Sequence, residues 1–293
     1  MSVVQDLLTL LDLEPIEHNI YRGQNRDLAT GRVFGGQVFA QALVAAQRTV
    51  PDGRDAHSVH GYFLREGDLK APIVYFVDRP RDGRSFTSRR VTAIQHGEAI
   101  FHLSASFHIA EPGLDHQMTM PEVPDPESLP SELELIRARA HTIPEVFRAI
   151  VTQDRPIDIR PIVPAEPFAR PERRDPADAT RRLWFRVTEP IPDATWIHQA
   201  VLAYASDYGF LPTALIPHGI AYRDPRLFIA SLDHTVWFHR AFRADEWLLY
   251  VSDSPSAFGA RGFVRGAVYR RDGTMVASMA QEGLVRLREA RDA

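Results

Sequence analysis

Gly36-Gln-Val-Phe-Ala-Gln-Ala-Leu-Val-Ala-Ala-Gln47 and Trp196-Ile-His-Gln-Ala-Val-Leu-Ala-Tyr-Ala-Ser-Asp207 are the two stretches on which the fold turns. Neither contains Lys, Arg or Glu, and the single acid is the closing Asp207. The uncharged run reaches back to Val33 in one case and to Thr195 in the other. Each reads as a helix, and a helix that is apolar nearly all round is a buried one. Two buried helices require a layer that covers them.

Strands supply that layer. Alternating or apolar runs follow the first helix at His57–Leu64, Ser85–Gln95 and Ala99–His108. The second is followed by Leu227–His239, Glu246–Asp253, Gly262–Arg270 and Met275–Leu287. Asn19–Arg26 and Leu183–Thr188 would each add a leading strand. The halves are therefore repeats: Phe63-Leu-Arg65 returns as Phe238-His-Arg240 at an offset of 175, and the His96-Gly97 turn as Asp272-Gly273 at 176. Both turns have the pattern of tight two-residue hairpins. The periodicity supports an α+β fold class, with an antiparallel sheet expected to wrap around one long buried helix, twice, and the two sheets expected to join side by side.

Twelve prolines between Glu111 and Arg182, from Pro112 to Pro176, interrupt regular structure. One short helix fits there, Ser131–Ala140, with Ser131 as N-cap and Glu132 and Glu134 in its first turn. The expected division is an N-terminal repeat 1–110, a proline-rich linker 111–180 with that helix, and a C-terminal repeat 181–293.

Composition narrows the function classes. The 293 residues carry a net charge of -4 and no cysteine. A sequence-independent nucleic-acid binder needs a basic surface, so that class is disfavoured. Disulfides, thiolate metal sites and a cysteine nucleophile are excluded. Met1–Leu13 is amphipathic and contains Asp6 and Asp12, unlike a secretory leader, and no run has the length for a membrane span. The expectation is a cytoplasmic protein without stable membrane insertion.

Five motifs in order, Val33-Phe-Gly-Gly-Gln37, Arg81-Asp-Gly-Arg-Ser-Phe86, Leu232-Asp-His234 with Trp237-Phe-His-Arg240, Ala260-Arg-Gly262 and Gln281-Glu-Gly283, together resemble the type II acyl-CoA thioesterases, the TesB-like family. That resemblance implies a double hotdog fold and hydrolysis of acyl-CoA, with fatty acyl-CoA as the expected substrate class. It also implies a water positioned by Asp207, Ser231 and Gln281, with Ser231 standing where many relatives carry Thr. No metal or cofactor is implied, and pairing of chains into a homo-oligomer is.

By themselves the residues leave alternatives open. Asp207 continues the apolar face of its helix, or it is an exposed C-terminal residue stopped by Gly209. Gln281 shares a strand face with Met279 and Gly283, where an amide could be catalytic or structural. The histidines are a rival set, but His57 and His60 face opposite sides of a strand. Ser231, Asp233 and His234 lie too close on one strand to form a triad. Gly35, Gly36 and Gln37 at the first helix start, with His60, Arg65, Arg90, Tyr208 and Arg261, are candidates to contact substrate. A non-catalytic acyl-CoA or lipid-binding protein and a hotdog dehydratase are the alternative functions. The repeat offsets place Ala56 and Ala105 opposite Ser231 and Gln281, so one site per chain is expected, in the second repeat.

Overall fold

The computed structural model describes residues 2–28, 31–143, 145–164, 172–222 and 224–288, with 146 and 147 as backbone only. Pro144, Pro167 and Pro171 of the proline-rich stretch lie outside them. Among the described residues there are five α-helices: α1 Val3–Leu11, α2 Gly35–Gln47, α3 Glu132–Ala138, α4 Glu145–Val151 and α5 Thr195–Ser206. In the first half the strands are β1 Glu14–Glu17, β2 Ile20–Gly23, β3 Asp55–Phe63, β4 Ile73–Asp82, β5 Phe86–Gln95 and β6 Glu98–His108. The second half contributes β7 Ile157–Pro161, β8 Thr180–Val187, β9 Leu227–Ser231, β10 Asp233–Phe238, β11 Leu248–Phe258, β12 Arg261–Arg270 and β13 Met275–Leu287.

All thirteen strands form one antiparallel sheet, ordered β1-β2-β4-β5-β6-β3-β10-β13-β12-β11-β8-β7, with β9 on the far part of β13. The order is a near palindrome about the β3–β10 pair, so the halves join side by side as a double hotdog. β3 and β10 close the seam, with Val59 opposite Val236 and Gly61 opposite His234. α2 and α5 pack on each other inside the curved sheet. From Gly36 to Ala46 every residue of α2 is buried, as is every residue from His198 to Ser206 in α5. An all-round apolar helix is stable only in such a setting.

β4 was not among the expected strands, although the 175 offset demanded it: Ile73 falls on Leu248, the start of β11. Its far end carries Asp78, Arg79, Pro80 and Arg81, which hides the alternation of Ile73, Tyr75 and Val77. The His96-Gly97 hairpin is the two-residue turn expected, both residues having positive φ (51° and 78°). Its counterpart is longer, spanning residues 271–274, with Gly273 at φ 88°.

The proline-rich stretch is more than a connection. Ser131 caps α3 through a reciprocal pair with Glu134. β7 extends the sheet beyond β8. Residues from 117 to 129 lie over the outer face of the second half, where Met120, Val123 and Leu129 pack on Trp184, Trp247, Leu249 and Tyr269. Trp184 donates its indole N–H to Pro124 O at 2.9 Å.

Candidate active site

Three elements of the second half converge next to the first-half helix. Asp207 follows the last residue of α5 and is partly buried. Gln281, on β13, is fully buried and donates from Nε2 to Asp207 Oδ1 at 3.1 Å and to Ser231 Oγ, at the end of β9, at 2.6 Å. With both its hydrogens engaged, the amide holds the acid and the hydroxyl together. A reversed amide would set its oxygen against the carboxylate, so the charge on Asp207 favours the orientation seen.

The expected single strand Leu227–His239 is broken at Leu232, and the break shapes the site. Ser231 opposes Gly283, whereas Thr235 opposes Ala280, so three residues on one strand span two on the other. This is a β-bulge, which re-aims side chains. Ser231 and His234 are three apart and would face opposite sides of a regular strand. The extra residue turns both toward Gln281. Asp233 satisfies the bulge by accepting from Glu282 N–H at 2.6 Å.

The other oxygen of Asp207 is held by the first half. Gly36 N–H donates to Oδ2 at 2.9 Å, bringing the positive end of α2 to the carboxylate. A Cβ at Gly36 would lie 2.5 Å from Tyr204 O, and one at Gly35 would lie 2.9 Å from Asp207 Oδ2. Glycine is required at Gly36 because the two helix ends approach this closely there, whereas a Cβ at Gly35 would push on the Asp207 carboxylate itself. Burial raises the Asp207 pKa from 3.8 to about 6, against the opposing pull of Gln281, the Gly36 N–H and the Arg32 charge. That value suits a general base near neutral pH.

The remaining candidates divide. Tyr208 packs on Phe34 with ring centroids 5.0 Å apart and reaches Tyr204 through its hydroxyl. Beside it, Ala205 and Tyr208 help line a small apolar cavity with Ile157, Ile159, Leu183 and Phe185. Gln37 does not face this region. It is buried, and its amide bonds Gln24 O, Asn25 Oδ1 and Arg26 N–H, tying down the preceding loop. His60 and Arg90 are exposed on the outer face, alternating with buried Val59 and with Arg89 and Val91. Arg65 is held by Glu98 and Ala99 O, and Arg261 by Glu282. These basic residues do not gather around Asp207. Arg32, which sequence reasoning passed over, does act there: it bonds Glu66 and Ile229 O, and its charge favours ionised Asp207. Its position, immediately before Val33-Phe-Gly-Gly, was the available signal.

Among the described residues no group of three or more His, Asp or Glu is placed to hold a metal ion. His234 bonds Ser206, not Ser231, so no Ser-His-Asp triad forms.

The comparisons with known proteins bear on the fold and the family. Residues 156–284 match the family model described as acyl-CoA thioesterase, and 25–108 match the acyl-CoA thioesterase N-terminal domain. The chain is 39% identical to acyl-CoA thioesterase 2 of Haemophilus influenzae over 98% of its own length and 99% of that protein's. It is 41% identical to human acyl-coenzyme A thioesterase 8, covering 96% of this chain and 88% of that one. The crystal structure of the acyl-CoA thioesterase II TesB2 from Mycobacterium marinum superposes with a TM-score of 0.77 at 41% identity, over 97% of this chain and 99% of that chain.

Proposed function

The chain belongs to the acyl-CoA thioesterase family, and from that premise we propose that Asp207, Ser231 and Gln281 hold and activate the water that cleaves the thioester. The overall reaction, acyl-CoA plus water giving a free acid and coenzyme A, is the family's. The observation that carries the assignment is the Gln281 amide, which joins a carboxylate raised to a pKa of about 6 to a hydroxyl, inside the fold.

Ser231 Oγ accepts from Gln281, which leaves its own proton free to donate to a water. Asp207 accepts a proton from the same water as the oxygen attacks the thioester carbon. The Gly35 N–H is the first of α2 and has no partner within the helix, which suits it to meet the oxyanion. Collapse of the tetrahedral intermediate breaks the C–S bond, and Asp207 returns the proton to the departing thiolate. Gln281 thus fixes its two partners and positions the water through them.

Fatty acyl-CoA is the proposed substrate class, because the aromatic cluster Phe34, Tyr204 and Tyr208 gathers at the end of α5 beside Asp207. Gly35 and Tyr208 remain proposed substrate contacts. We also propose that the chain works as a homo-oligomer, since the first half's outer face exposes Tyr62, Phe76 and Phe86. A cytoplasmic location is proposed, and no helix among the described residues is long and apolar enough to cross a membrane. For organisation, the proposed units are the first repeat to about 110, the connecting stretch and the second repeat, with β7 belonging to the last.

The deciding experiment measures coenzyme A release across a panel of acyl chain lengths for the native protein and Gln281→Ala. A large fall in kcat with little change in KM is expected. Native kcat in Gln281→Ala, with only its melting temperature lowered, would make the amide structural and sink the assignment.

A further inference from the structure

Two buried atoms beside the cluster lack partners: Oε1 of Gln281 and Nδ1 of His234. Their residues lie one step beyond the Thr235–Ala280 pair that ends the β10–β13 ladder, with the Gln281 side chain close enough to act on the His234 ring. The bulge at Leu232–Asp233 is what turns His234 to this side.

The imidazole has little freedom. Its Nε2 lies 2.7 Å from Ser206 Oγ, and Phe39 and Phe210 meet it edge-on at 4.8 and 5.7 Å. Burial pushes its pKa down to about 4, with the nearby Gln281 amide working the other way. A neutral imidazole carries one N–H, and its neighbours decide which nitrogen bears it. The Ser206 hydroxyl has one proton and two acceptors in reach, Ala203 O at 2.8 Å and His234 Nε2; given to Ala203 O it leaves the ring proton on Nε2, where the hydroxyl oxygen accepts it. When it donates to Nε2, the ring proton must sit on Nδ1.

We propose that His234 is a positioning residue: protonated at Nδ1, it accepts from Ser206 at Nε2 and donates to Oε1 of Gln281, fixing which end of the amide faces Asp207. One hydrogen bond then satisfies both orphaned atoms. The chemistry gives the bond a purpose. While Asp207 is ionised, its charge alone orients the amide N–H groups. Once Asp207 has taken the proton of water, a reversed amide becomes acceptable to it, and the hold on Ser231 would lapse. A donor on Oε1 keeps the amide in one orientation through the whole cycle. This rests on the assignment of Gln281 to the water-holding set.

The test combines coenzyme A release by His234→Phe, His234→Asn, Gln281→Ala and the His234→Phe/Gln281→Ala double variant with nitrogen NMR of the ring in the unaltered protein. His234→Phe should lower kcat about tenfold, roughly the worth of one hydrogen bond, and leave KM within about twofold. His234→Asn, whose amide nitrogen can stand in for Nδ1, should keep most of the activity. In the Gln281→Ala background His234→Phe should cost nothing further, because the two act as one unit. NMR should show the proton on Nδ1. A ring protonated at Nε2, native kcat in His234→Phe, or equal losses in both backgrounds would overturn the inference. Slow Gln281→Ala beside fast His234→Phe would sink this inference alone, whereas native turnover by Gln281→Ala would remove the site assignment beneath it.

Discussion

At the place where the second half gathers Asp207, Ser231 and Gln281, the first half has Gln47, Ala56 and Ala105. The strands around both places correspond: Val264 pairs with Gln281 across β12–β13, and Arg89 pairs with Ala105 across β5–β6. Arg89 is wholly buried, and it donates to Asp82 at 2.6 Å, to Thr49 Oγ1 at 2.7 Å and to Thr49 O at 2.8 Å. So one half closes the end of its helix with a fully bonded guanidinium, and the other leaves a carboxylate under tension at the same place. The first repeat is therefore not an idle copy. It lacks the acid, amide and hydroxyl, and it contributes the Gly36 N–H that grips the second half's carboxylate.

Asp207→Asn should break the comparison most severely. The variant keeps the shape and loses the proton acceptor, so kcat should fall by about 10²–10⁴-fold. In the unaltered protein kcat/KM should rise with pH through about 6 and then level, following the raised Asp207 pKa. Turnover surviving in Asp207→Asn, or a limb set by another group, would move the chemistry elsewhere. The same shift fixes a stability effect. A carboxylate whose folded pKa lies above its unfolded value destabilises the fold when ionised. The penalty is absent below pH 3.8 and complete above about 6, on the order of 3 kcal/mol. The stability of Asp207→Asn relative to the native protein should therefore grow across that window in denaturant titrations, and a flat difference would contradict the assigned pKa.

Gly36→Ala tests the first half's contribution. Its methyl would meet Tyr204 O, forcing α2 and α5 apart. A loss of about 1–3 kcal/mol in stability is expected from such overpacking, with kcat reduced as the Asp207 contact lengthens. Unchanged kcat would show that the second half needs no help. Ser231→Ala should lower kcat about tenfold, the worth of one hydrogen bond. Ser231→Thr, keeping the hydroxyl, should retain much of it. Smallest in activity is Arg89→Met. It should cost about 3 kcal/mol in stability by orphaning its buried partners, yet leave kcat of the folded enzyme unaltered. A kcat defect there would make the Arg89 end of the first-half helix part of the machinery.

How much of this was legible depends on what kind of signal each feature leaves. The buried helices announce themselves because no charge interrupts them. Alternating and apolar runs located most strands but not β1, β4 or β7, and the repeat offset points to β4 when applied to Glu246–Asp253. The bulge at Leu232–Asp233 leaves no mark, since an apolar run reads as one strand whether or not its ladder slips. Gln37 was expected near substrate because it begins a helix, but the destination of a buried amide depends on the loop folded against it. The basic residues stand away from Asp207 for a similar reason. Ion pairing with Glu98 and Glu282 claimed Arg65 and Arg261, and strand alternation placed His60 and Arg90 outside. Asp207, Ser231 and Gln281 were reached through a family pattern. Their meeting point depends on three elements that only the closed sheet brings together.

The β3–β10 pair that joins the halves also governs how the chain must come together. Its partners, such as Val59 and Val236, are separated by most of the molecule along the chain. Contacts this distant in sequence form late and slowly. Until they form, each half presents an unpaired strand edge, a surface that captures whatever edge is nearest. During synthesis the first half emerges and folds before β10 exists, so β3 waits open. At high concentration the nearest β10 can belong to another molecule, and two chains that exchange second halves satisfy every seam bond while sharing their sites. Refolding yield should therefore fall steeply with protein concentration, and the seam sets the limit on how crowded this chain can be as it folds.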